Sequence, residues 1–282
     1  MKFRTFYRLF YKHRLKKASI ILKIYILLIL PFRYLINSFY FEKKINLDIF
    51  STKNKFLFEK NLNYLFESFN SDKGDFFINQ YVQPIKKNKK KNKGHGYSKF
   101  YDLLFSEIKN KPLNIIEIGS FYGNASAALF FYFKRSIIYG GDINPDMFKY
   151  KSNRVKNFFI DNGSRSSIEK NLLKSNINFD IIIEDGSHKL KDQIISLFML
   201  FPILNSGGYF VSEEIDFPET KEDMRINQSP PDLKTILKNI IEKKDFQSTY
   251  IENFEKKYFL ENLESIDFYK GNYNEIVVIK KK

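Results

Sequence analysis

The sequence predicts an α/β fold: a doubly wound, mostly parallel seven-stranded sheet with a C-terminal antiparallel hairpin and a helical N-terminal extension. Three observations predict it. From position 112 onward, short apolar runs alternate with stretches of helical periodicity, which implies parallel strands joined by right-handed crossovers. Acidic residues stand at the ends of successive strands. The last two strands flank Gly271-Asn272, a hairpin signal.

The elements follow in order. "LNIIEIG" is the first strand, and "NASAALFFYFK" is a helix with small residues in its first turn. "SIIYGGDI", "NFFIDN" and "FDIIIEDG" are strands two to four. After the helix "KDQIISLFMLFPIL", "GGYFVSEEI" is the fifth. "PDLKTILKNIIEKK" is an amphipathic helix with Pro near its start, and "SIDFYKGNYNEIVVIKK" supplies the last two strands. Residues 112–282 thus form one domain. Residues 45–111 read as a helical connection, with "NKFLFEKNLNYLFESF" at helical spacing and a lysine-asparagine tract at 85–94 read as a mobile loop.

Residues 1–44 differ from the rest. A basic, aromatic stretch precedes "ASIILKIYILLILPF", an apolar run interrupted by Lys23 and closed by Pro31 and Arg33. A spanning helix wants about 20 apolar residues, and no small-residue cleavage site follows as a signal peptide would need. The segment reads as a helix resting on a membrane surface, basic side toward anionic headgroups. Packing on the protein's own core or on a second copy of the chain, and a true span, are the alternatives.

With 282 residues and 43% hydrophobic content, the chain can bury one substantial core. It has no Cys, which excludes disulfides, thiolate zinc sites and a cysteine nucleophile. The net charge of +15 raises nucleic acid as a partner. Much of it lies at 1–17, 85–94 and 280–282, outside the strand ends, so no specific nucleic-acid partner is expected.

Ligands of such sheets sit at the carboxyl ends of the strands. After strand one, "EIGSFYGNAS" places Glu117, Gly119 and Gly123 where a chain turns sharply into a helix N-terminus. Neither the G-x-G-x-x-G nor the P-loop pattern is present, and two glycines alone also suit a plain tight turn. Asp142 ends strand two about twenty residues on, placed to accept the hydroxyls of an adenosine ribose. Asp161 follows strand three, placed to read an adenine amino group or else to cap the next helix. "EDGSH" after strand four brings Asp185 and His188, and Glu213 and Glu214 end strand five.

Taken together, "SDKG", "HGYSKFYD", "IIEIGSFYGNAS", "YGGDI", "DIIIEDGSH" and "LFPILNSGGYFVSEE" resemble the class I S-adenosylmethionine-dependent methyltransferases over residues 71–278. Within them the chain is similar to the metal-dependent sugar O-methyltransferases of the macrocin and mycinamicin type. The resemblance implies a Rossmann-like fold with S-adenosyl-L-methionine held by Glu117, Gly119, Gly123, Asp142 and Asp161. Tyr97, in a matched motif, is placed at the same cofactor. It further implies a divalent cation, Mg²⁺, on Asp185, Glu213 and Glu214, with His188 as the base. This chain has Glu213-Glu214 where the family usually has Glu-Asp.

Such residues suit methylation of a sugar hydroxyl. A hard cation stabilises a developing alkoxide, and a neutral imidazole takes the proton. The expected acceptor is a glycan or glycolipid. The N-terminal segment makes the expected location cytoplasmic, peripheral on the inner face of the membrane, with homo-oligomerisation left open. A membrane-tethered scaffold without catalysis and a nucleic-acid methyltransferase are the competing readings.

Overall fold

The structure, a computed structural model, describes residues 1–16, 18–80, 82–86 and 90–282. Seven strands form the main sheet: β1 (Asn114–Ile118), β2 (Ile137–Asp142), β3 (Val155–Phe159), β4 (Phe179–Glu184), β5 (Leu204–Ser212), β6 (Leu263–Lys270) and β7 (Glu275–Lys281). Their spatial order is β6-β7-β5-β4-β1-β2-β3. All neighbours are parallel except β7, which runs antiparallel to both β5 and β6. The sheet is therefore mixed, with β7 as its single reversed strand. Strand order turns back between β1 and β4, and a ligand crevice opens at such a point.

Alternation along the central strands divides the core. Ile115, Ile181 and Ile183 face one layer, and Ile116, Ile118 and Ile182 face the other. Each such side chain contributes about 1.5–3 kcal/mol on burial. The first layer centres on the helix Asn124–Tyr132, every residue of which is buried. It can be apolar all round because a second helical layer covers it. Leu57, Leu62, Leu65, Phe66, Tyr101 and Phe105, all from the stretch read as a connection, join the same core. The other layer is formed by Leu190–Leu200, Leu233–Lys243 and Asn253–Asn262.

Several local details differ from the sequence reading. The helix expected over "NKFLFEKNLNYLFESF" is split into a 3₁₀ turn (Lys55–Glu59) and a helix (Leu62–Ser68), because Asn61 caps the second piece by accepting from the Tyr64 N–H at 2.9 Å. A helix at Asn253–Asn262, opened by a Glu252/Glu255 capping box, was not anticipated. In the lysine-asparagine tract, Lys91–Lys93 is a strand paired with Phe76–Ile78 rather than loop. Residues 87–89 lie outside the described residues.

The N-terminal helix does not stop at Pro31. It runs through Ile20–Ser38, is long and apolar enough by length and composition to cross a membrane, and is mostly exposed. Ile21 is 82% and Leu28 68% exposed. A small separate core of Phe6, Phe10, Tyr11, Leu15 and Leu30 joins it to the preceding helices.

Candidate active site

The turn after β1 is shaped by what passes beside it. Gly119 has φ +90°, and a Cβ there would lie 1.8 Å from the Asp185 carbonyl oxygen. Only glycine lets the β1 and β4 exits come this close. Gly123, at φ +76°, leaves room for the Phe148 ring, which a Cβ would meet at 2.5 Å. The Gly119 and Ser120 N–H groups donate to the Gly141 carbonyl at 2.8 and 3.1 Å, which ties this turn to β2. Asp142 completes the tie: Oδ2 accepts from the Phe121 N–H at 2.9 Å and Oδ1 from the Asn144 N–H at 2.6 Å. Glu117, at the end of β1, is buried and accepts from the Ser126 hydroxyl at 2.6 Å. Asp161 accepts from the Gly163 N–H at 3.2 Å, and the helix that follows is capped by Ser164 instead.

A cavity of about 640 Å³ opens over these groups. Glu117, Gly119, Asp142 and Asp161 line one part of it, and Asp185, His188 and Glu214 line another. In the second part His188 and Glu214 both have left-handed backbone, φ +56° and +49°, a strained geometry for non-glycine residues that the surrounding structure must hold. His188 Nε2 lies 3.6 Å from Asp185 Oδ1, and its Nδ1 lies 3.5 Å from Glu214 Oε2. One ligand atom from each of Asp185, His188 and Glu214 falls within 4.8 Å of the other two.

Lys73 sits between the two parts. It comes from the "SDKG" motif and is 1% exposed. Its ammonium lies 2.5 Å from Asp185 Oδ2, 2.7 Å from Glu213 Oε2 and 3.7 Å from Glu117 Oε1. The "SDKG" and "HGY" motifs are laced together, with the His95 N–H on the Asp72 carbonyl at 2.7 Å and the Tyr97 N–H on the Lys73 carbonyl at 2.9 Å. Sequence reasoning matched both motifs yet passed over Lys73. Its signal was a lysine beside a glycine in a segment otherwise hard to assign.

Two expected residues land elsewhere. Tyr97, placed at the cofactor, is fully buried with its ring stacked on His95, centroids 5.2 Å apart. Its hydroxyl donates to Glu214 Oε1 at 3.3 Å, so it supports the acidic group and does not line the cavity. Glu213, placed on the cation, gives Oε2 to Lys73 and accepts at Oε1 from the Tyr101 hydroxyl. It too is absent from the cavity wall. His95 lines the cavity, with Nδ1 3.4 Å from Glu214 Oε1.

The charges are set by burial and by Lys73. Burial would pull the Lys73 ammonium down, but Asp185, Glu213 and Glu117 outweigh it and hold it well above its usual value. Burial pushes Glu117 up to about 7, and Glu213 to about 8 despite Lys73. Burial, and then Asp185 and Glu213, raise Glu214 well above the usual carboxylate range. Asp185, whose burial is overcome by Lys73 and His188, is held low. Burial lowers both His188 and His95, so their rings are neutral near pH 7. Among the described residues, Glu214 Oε2 and His188 Nδ1 are buried without a hydrogen-bond partner. An excess of buried carboxyl groups over one ammonium, with unsatisfied oxygen and nitrogen atoms, is a donor set that fits a hard divalent cation, whose charge would favour their ionised forms.

No family model matches the chain. It is 30% identical over 128 residues to the 8-demethyl-8-alpha-L-rhamnosyl tetracenomycin-C 2'-O-methyltransferase of Streptomyces olivaceus, which covers 43% of this chain and 33% of that protein. Demethylmacrocin O-methyltransferase of Streptomyces fradiae is 30% identical over 128 residues, 43% of this chain and 32% of its own length. The mycinamicin VI 2''-O-methyltransferase of Micromonospora griseorubida is 28% identical, with the same coverages. The chain spans about a third of the length of the curated relatives it matches. Among solved structures, the MycE methyltransferase of the mycinamycin biosynthetic pathway, in complex with Mg, SAH and mycinamycin VI, superposes with a TM-score of 0.60 at 20% identity. The match covers 79% of this chain and 54% of that one. The chain has the Rossmann-like fold of the class I methyltransferases, and in sequence it is similar to O-methyltransferases of this type.

Proposed function

We propose that the protein transfers a methyl group from S-adenosyl-L-methionine to a sugar hydroxyl, assisted by a divalent cation. The observation that carries this reading is the single cavity with Glu117, the Gly119 turn, Asp142 and Asp161 on one side and Asp185, His188 and Glu214 on the other. The first group suits a nucleoside whose ribose meets a buried carboxylate and whose sulfonium lies near acids. Asp185 and Glu214, with His188 beside them, would hold the cation. When bound, it lowers the cost of negative charge on the acceptor oxygen. His188, kept neutral by burial, takes the hydroxyl proton at Nε2, and Asp185 Oδ1 steadies the ring as it charges. The cleft walls align sulfonium and oxygen and exclude water.

The relatives' names specify glycosylated natural products, and the Mg-containing neighbour holds such a compound. For this chain we place the acceptor on a glycoside, glycolipid or surface polysaccharide. The exposed apolar helix Ile20–Ser38 and the basic residues Lys2, Arg4, Arg8 and Lys12 before it support docking on the inner membrane face, peripheral to the cytoplasm. This module is tied beside the cavity: the Arg8 guanidinium donates to the carbonyl of Ile143, which lines it, at 3.4 Å, and the Lys2 N–H and the Thr5 hydroxyl donate to Asp146, four residues past Asp142, at 2.7 and 3.1 Å. A lipid-linked sugar would thus be delivered beside the cleft.

Calorimetry should show S-adenosylmethionine binding to the purified chain. Mass spectrometry of surface glycans from cells with and without the gene should show a difference of one methyl mass. Absence of cofactor binding removes the enzyme reading, and unchanged glycans and glycolipids remove the acceptor. On anionic vesicles, Ile21→Asp with Leu28→Asp should abolish co-sedimentation while leaving cofactor affinity intact. Undiminished sedimentation would count against the membrane docking.

A further inference from the structure

We propose that Lys73 divides the acidic cluster into two functions. Its ammonium reserves Glu213 and Asp185 Oδ2 for structure, and leaves Asp185 Oδ1 and Glu214 Oε2 as the carboxylate atoms that face a cation. The inference rests on the proposed use of a divalent cation and departs from the three-carboxylate set that the resemblance implied.

Three observations carry it. Both oxygens of Glu213 are engaged, one by Lys73 at 2.7 Å and the other by the Tyr101 hydroxyl, and the residue is 1% exposed. Glu213 does not line the cavity, whereas Asp185 and Glu214 do. Glu214 Oε2 has no donor among the described residues, is buried, and stands next to His188 Nδ1, which is unpartnered as well. Lys73 is also anchored at its main chain. Its carbonyl accepts from the Tyr97 and Ser98 N–H groups at 2.9 and 3.2 Å, which fixes the main chain from which the side chain reaches inward. A cation on Glu213 would have to displace the Lys73 ammonium or the Tyr101 hydroxyl, whereas Asp185 and Glu214 each keep an oxygen that neither of these groups occupies. Lys73 is thus a positioning residue. It sets the shape of the acidic cluster, holds Asp185 toward Glu117, and lowers the attraction of the cluster for a second positive charge.

The test is Mn²⁺ binding to the full chain, read from the loss of the free-ion electron paramagnetic resonance signal. Asp185→Asn and Glu214→Gln should each weaken binding at least about tenfold more than Glu213→Gln does. Lys73→Met should tighten it by about tenfold, because the competing charge is gone. Thermal melts establish which variants are folded. Should Lys73→Met fail to fold, the ranking of Glu213→Gln against Glu214→Gln decides. Equal losses in those two variants, or a folded Lys73→Met protein that binds Mn²⁺ no more tightly than the parent, would overturn the assignment. No Mn²⁺ binding by the parent chain would overturn it as well. S-adenosylmethionine binding by the same samples separates the outcomes: its loss in the parent chain counts against the methyl-transfer reading, and the Mn²⁺ ranking judges Lys73.

Discussion

At the Gly119 end of the cleft, the charged group is held by main chain. Asp142 takes its two hydrogen bonds from the N–H groups of Phe121 and Asn144, residues close to it in sequence or in the adjoining turn. At the Glu214 end, side chains hold one another. Lys73 reaches Asp185 and Glu213 across more than a hundred residues of chain, and Tyr97 and His95 come from the same distant segment to brace Glu214. The first arrangement is a property of turn geometry and tolerates little change in backbone. The second is a balance of buried charges, and it shifts when one charge is altered. The two ends therefore fail in different ways.

Replacing His188 should separate them most widely. His188→Ala is expected to lower turnover by about 10²–10⁴-fold while S-adenosylmethionine affinity, measured by calorimetry, stays that of the parent. A matching loss of cofactor affinity would show that the ends are not separable. Because burial holds His188 below 6.5 and the base must be neutral, the acid limb of kcat/KM should fall below pH 6.5. A limb above that value would assign the proton to another group.

Gly119→Ala tests the main-chain end. With φ +90° and the Asp185 carbonyl 1.8 Å from the new Cβ, it should cost at least about 3 kcal/mol. Gly207→Ala has a similar φ of +76° but nothing within 4 Å, so it should cost only about 1 kcal/mol. Thermal or denaturant unfolding compares the pair, and equal losses would show that close approach of the two strand exits is not what requires glycine. Asp142→Asn should have a smaller effect than Gly119→Ala. Asparagine has one acceptor oxygen where Asp142 uses two, so one main-chain N–H loses its partner, and stability should drop by about 1–3 kcal/mol with cofactor affinity down about tenfold. A loss confined to cation binding would place Asp142 on the wrong side of the cleft.

The legibility of the site follows the same division. Gly119, Gly123 and Asp142 were readable because a strand, a tight turn and a helix lie consecutively in sequence. Asp185, His188 and Glu214 were readable as strand-end residues, and the structure brings them together. Glu213 and Tyr97 make contacts that the sequence did not show, for a common reason. Which way a side chain turns at a strand end or a motif edge depends on its partner, and the partners were Lys73, Tyr101 and Glu214. In the fold, the seven strands were legible from alternation. The packing of residues 45–111 over the helix Asn124–Tyr132 was not, because helical spacing shows an apolar face without naming what covers it.

The sequence by itself determined the order of strands and helices, the glycine turn and the acids at the strand ends, since each depends on neighbours along the chain. Only the tertiary structure decided that one buried ammonium lies among those acids and which of them it takes. Charge interactions in a buried site are set by distances in space, and "SDKG" and "VSEE" are brought within reach of each other only when the sheet has formed.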